Sequence, residues 1–147
     1  MPDIQLINKL LQDELAATET YVHALDYLRK DVELSGAEEL TPLLEAHKTA
    51  VASLQSMIIE LGGTPIASSG AWGTWASVIL GGANLLGKDS ILKALHEGEQ
   101  NGQMGYTDAL KETELPADLR TLINEKLLPA QLAHIHILEK LLDTEAA

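Results

Sequence analysis

Four stretches of this chain place apolar residues at helical spacing, and the same pattern returns twice. In the first stretch Ile7, Leu10, Leu11, Glu14, Ala17, Tyr21, Leu25 and Leu28 fall on one face. Asp3 is a suitable N-cap, and the predicted helix runs to about Arg29 or Val32. Ser35 and Glu38 have capping-box spacing and predict a second helix, which continues to Leu61 and stops at Gly62, Gly63 and Pro65. Its stripe is Leu40, Leu43, Leu44, His47, Ala50, Val51, Leu54, Ile58 and Leu61, with Pro42 marking a first turn or a kink. A third helix is expected from Asp89 or Ser90 to between Glu112 and Glu114, with Leu92, Leu95, Glu99, Tyr106 and Leu110 on one side. Pro116 opens a fourth, which runs to about Leu142 with Pro129 inside it and Leu127, Ala130, His134, Leu138 and Leu141 facing inward. Thr144 to Ala147 are expected to fray.

The repeat is specific. Glu14 and Tyr21 reappear 85 residues later as Glu99 and Tyr106, within matching leucine stripes. Leu40, Pro42, His47, Val51 and Leu54 reappear 87 residues later as Leu127, Pro129, His134, Leu138 and Leu141. Two helical hairpins of one plan follow, joined by a connection over 62–89 that is long enough to carry the chain from one end of a bundle to the other. The expected fold is all-α: an antiparallel four-helix bundle with one long crossover between helices 2 and 3, forming a single domain over 1–147.

Composition narrows the chemistry. A hydrophobic content of 46% over 147 residues is enough for one core without staples, and Leu and Ala dominate where β-branched runs are scarce. With no cysteine, thiolate metal sites and Cys nucleophiles are excluded, so His, Asp and Glu must supply any metal chemistry. A formal charge of −12 opposes a phosphate backbone, and nucleic acid is not expected as a partner. The longest apolar run, Trp75 to Leu86, is short of the roughly 18 to 20 residues of a span and is broken by Gly81 and Gly82. No membrane association is expected. Met1-Pro2-Asp3 leads straight into an amphipathic pattern without a signal-peptide signature, so a cytoplasmic location is the expectation.

A bundle of this plan brings Glu14, His47, Glu99 and His134 to one level of the core. Inward-facing Glu and His side chains are how helical bundles hold metal ions, and this donor type suits iron, manganese or zinc. Tyr21 and Tyr106, two turns from the glutamates, are placed to hydrogen-bond to them. An alternative stays open: the histidines and glutamates can satisfy one another as a metal-free polar core. His96, near the edge of the Glu99 face, reads as a rim residue, while His23 and His136 fall on outer faces. Asp13, Glu19 and Glu45 read as solvated charges. No nucleophile with a neighbouring base and no phosphate-binding glycine loop is found, and no organic cofactor is expected.

The run from Leu10 to Tyr21, with its Glu followed by Tyr seven residues later, resembles the first helix of ferritin-like proteins, bacterioferritin among them. Across nearly the whole chain, the order of elements and the Leu61-Gly-Gly-Thr-Pro65 turn resemble an uncharacterised bacterial ferritin-like family, domain of unknown function 2383. The resemblance implies a ferritin-like bundle whose metal ligands would be Glu14, Glu99, His47 and His134. It also exposes two departures. Ferritin-like proteins carry a metal-bridging Glu three residues before each histidine, and here those positions hold Leu44 and Gln131. The expected set is therefore two Glu, two His and Gln131, which holds one metal, iron or zinc, more readily than two, with oxidase activity weakened or absent. The contrasting expectation is a metal-free scaffold or stress-associated interaction protein. Trp72 and Trp75 in the apolar crossover suggest a homodimer contact through 62–89.

Overall fold

The computed structural model describes residues 4–30, 34–68 and 88–146. Among them the protein is all-helical, with four helices and no strand. Helix α1 spans Ile4–Lys30, α2 spans Leu34–Glu60 and α3 spans Lys88–Leu110. In α4, Ala117–Leu122 and Leu128–Ala146 are joined through a π-helical turn at Ile123–Leu127. None of these helices is long and apolar enough to cross a membrane. Trp72, Trp75 and nearly all of the crossover lie outside the described residues, and with them most of the surface expected to pair two copies.

The helix ends follow local chemistry. Gly62 takes a φ of +85°, a conformation in which a side chain is strained, and the turn it makes lets the Gly63 N–H bond to the Ile58 carbonyl and the Gly62 N–H to the Ile59 carbonyl. The expected stop of α2 is thus made as expected. Its start differs: the helix begins at Leu34, so Ser35 lies inside it and not at the cap. Pro42 is also well inside α2, on an exposed face where water can take the carbonyl that proline leaves without a partner. Asn8 of α1 pins the segment after α2, donating to the Thr64 carbonyl and accepting from the Ile66 N–H. Arg120 closes the short link before α4 by donating to the Leu110 and Glu112 carbonyls at the end of α3. The helix persists to Ala146, two residues past the start of the expected frayed end.

Two apolar clusters fill the interior, and each draws on all four helices. One gathers Leu25, Leu28, Leu40, Leu43, Leu92, Leu95 and Leu138 with their neighbours. The other gathers Ile7, Leu11, Leu54, Ile58, Ala109, Leu119 and Ile123 with theirs. Neither cluster includes Glu14, His47, Glu99, Gln131 or His134, all five of which are buried.

Candidate metal centre

The π turn in α4 explains how two of these five side chains reach the core. Leu119, Ile123, Leu127 and Gln131 are all buried, at steps of four residues. In a regular α-helix each such step overshoots a full turn by about 40°, so three in succession would swing the stripe away from the core. The wider turn absorbs the excess: the Leu128 N–H bonds to the Ile123 carbonyl, five residues back. It sits immediately before Pro129, which has no N–H to continue the α-helical pattern. Gln131 and His134 then face inward, with His134 beside Leu138 on the same stripe.

His47 lies at the middle of the site. Its Nδ1 is 2.6 Å from Glu14 Oε2 and its Nε2 is 2.5 Å from Glu99 Oε1. To donate at both nitrogens the ring must carry both protons, as the imidazolium. Burial is the largest single influence on this ring and opposes the charge. The carboxylates of Glu14 and Glu99 together outweigh it, lifting the His47 pKa from 6.5 to about 10. Glu99 shows the converse balance. Its burial favours the neutral acid, but His47 and then His134 overcome that effect and hold its pKa at about 2.

The remaining contacts repeat the internal symmetry of the sequence. Tyr21 donates to Glu99 Oε1 at 2.9 Å, and Tyr106 donates to Glu14 Oε1 at 2.5 Å. Each tyrosine therefore serves the carboxylate of the other repeat. Burial, reinforced by the adjacent carboxylate, raises both phenols well above their ordinary pKa and keeps them as donors. The Tyr21 ring also stacks on His47, with centroids 5.2 Å apart. His134 departs from the symmetry: its Nδ1 stands 3.3 Å from both oxygens of Glu99, the looser counterpart of the His47 contact with Glu14.

These distances assemble a group able to hold a metal ion. His47, Glu99 and His134 each offer one ligand atom, and the three atoms lie within 4.8 Å of one another. Two imidazole nitrogens and one carboxylate form a donor set that zinc and ferrous iron both accept. Glu14 is held by His47 and Tyr106 and does not join this group of three. Gln131 packs against Gly102, whose missing side chain makes room for it, and donates its amide to the Glu99 carbonyl at 3.0 Å. Leu44, three residues before His47, is buried within an apolar cluster.

The outer residues behave as their positions suggest. His96 is at the rim, 3.2 Å from Glu139, and His136 is exposed, while His23 is partly buried. Glu45 meets Lys48 on the surface. Asp13 is exposed, but it borders a cavity that leads to Glu14. Partial loss of water raises its carboxyl above the usual value, with Lys9 pulling the other way and Glu14 adding to the rise. No protein-family model matches the sequence, and no curated protein matches it.

Proposed function

We propose that this protein is a ferritin-like four-helix bundle, related to the domain of unknown function 2383, that binds one divalent metal ion in its core. The observation that carries this reading is the convergence of His47, Glu99 and His134 from three helices, with donor atoms within 4.8 Å of one another. A bundle of antiparallel hairpins is supported by the core: Ile7 and Leu11 share a cluster with Leu54 and Ile58, while Leu25 and Leu28 share the other with Leu40 and Leu43. The ligands would be His47 through Nε2, Glu99 and His134. Glu14 would orient His47 from Nδ1, as a carboxylate behind a metal-bound histidine does. The proton that now lies between His47 Nε2 and Glu99 would be displaced by the ion. With Leu44 and Gln131 at the bridging positions, a second ion lacks its carboxylates, so ferrous oxidation is expected to be weak or absent.

Elemental analysis of protein expressed with iron and zinc supplements tests the reading. About one ion per chain is expected, and Glu14→Ala with Glu99→Ala should lose it. Metal-free wild type would count against it.

A second reading has its own support. Among the described residues every fully buried side-chain nitrogen or oxygen has a hydrogen-bond partner, so no such atom requires an ion. A metal-free scaffold or interaction protein would then melt at the same temperature with and without chelator, whereas bound metal raises that temperature by linkage.

A further inference from the structure

A cavity of about 310 Å³ opens beside the polar residues where α1 faces α3. Its buried lining includes Glu14, His47, Tyr106 and Gln131, and its exposed lining includes Asp13 and Asp108. Gly102 and Gly105 of α3 both border it, Gly102 with the Gln131 amide lying across it and Gly105 facing α1. A Cβ on Gly105 would stand 3.7 Å from Asp13 Oδ2 and 3.9 Å from Leu10 Cδ2, so a longer side chain there would occupy the space between the helices.

The contents of the lining are informative. Three carboxylates face it against the ammonium of Lys9 and the imidazolium of His47, with Asp108 also 3.2 Å from Lys111 at the surface, and a polar space of this size takes several waters. Gln131 is 3% exposed and uses its amide N–H on Glu99, while its oxygen has no hydrogen-bond partner among the described residues. That leaves a nearly buried acceptor on the cavity wall. A second hollow, of about 480 Å³ and lined by α2 and α4, touches none of the five polar core residues.

We propose that this cavity is the route by which a hydrated divalent cation reaches the core, and the place where it exchanges water for protein oxygen. Asp13 and Asp108 draw the ion to the mouth, and the Glu14 carboxylate and Gln131 oxygen receive it as water is shed, one step from His47. The inference rests on the metal-binding reading.

Stopped-flow uptake of Zn²⁺ by the full chain, followed by competition with a chromophoric chelator, tests it. Gly105→Leu should fill the seam without touching a ligand and slow uptake at least about tenfold, while about one ion per chain still binds at equilibrium. Asp13→Asn with Asp108→Asn should slow uptake by roughly tenfold at low salt and flatten its salt dependence. If Gly105→Leu does not fold, Gly105→Ala and the Asp13→Asn, Asp108→Asn pair carry the test. Normal binding by wild type, with uptake unslowed in the folded variants, would overturn the route alone. Wild type that takes up no Zn²⁺ would overturn the metal reading, and the route with it.

Discussion

The phenol of Tyr21 donates to Glu99, 78 residues away, and not to Glu14 on its own helix. The bond from Tyr106 to Glu14, across 92 residues, is its symmetric mate. The two repeats are therefore tied through their most costly buried groups, since each carboxylate is held by a histidine and by a tyrosine from the opposite repeat. Removing either phenol leaves a buried carboxylate short of a donor. Tyr21→Phe and Tyr106→Phe should each cost about 1.5–3 kcal/mol, as for hydrogen bonds to charged groups. Because His47 links both carboxylates, the double variant should depart from additivity, which urea unfolding of the two single variants and the double variant will measure.

The stability of the metal-free protein should depend on pH in a defined sense. The pKa of His47 is raised on folding, so its contribution is complete below about 6.5 and is lost as pH rises through about 10. The pKa of Glu99 is lowered, so its contribution is complete above about 4.5 and is lost as pH falls through about 2. Stability from this pair should be greatest between about pH 4.5 and 6.5 and decline on both sides, the alkaline decline vanishing in His47→Leu. Chemical denaturation across pH in the presence of chelator checks this.

Gly102 and Gln131 should behave as a matched pair. A methyl group on Gly102 would collide with the Gln131 amide, which is held in place by its bond to the Glu99 carbonyl. Gly102→Ala is expected to cost about 1–3 kcal/mol through overpacking and the lost bond. Shortening the partner should relieve it: Gly102→Ala with Gln131→Ala is expected to be less destabilised than the sum of the single variants. A double-mutant cycle decides the point.

Much of this arrangement was legible in the sequence because it rests on periodicity. Glu14, Glu99, His47 and His134 sit in stripes of leucine at helical spacing, and the paired offsets mark them as equivalent, so their burial at one level follows from the pattern. The π turn left a trace that a 3.6-residue period hides: Leu119, Ile123, Leu127 and Gln131 follow one another at steps of four, ahead of Pro129. The exchange of tyrosine partners left no trace, because spacing along one helix says nothing about which neighbouring helix a side chain reaches. The same holds for Gly102, whose role appears only once Gln131 lies across it. Asp13 is exposed as its position predicts, yet partly desolvated beside a cavity whose other wall includes Gly105 on another helix, which spacing along α1 does not reveal.

The ion should contribute to stability. Chelator should lower the melting temperature of protein purified with its metal, and added Zn²⁺ should restore it, with a gain that grows with free ion concentration. In His134→Ala both responses should shrink, since one of the three donors is gone.

The most direct measurement is the metal content of the purified wild-type chain beside that of Glu99→Ala. Glu99 contacts His47, His134 and Tyr21, so every version of the site depends on it. About one zinc or iron per wild-type chain, and none in a folded Glu99→Ala, is the expected result. Wild type without metal after expression in supplemented medium, and with a melting temperature indifferent to chelator, would contradict the account.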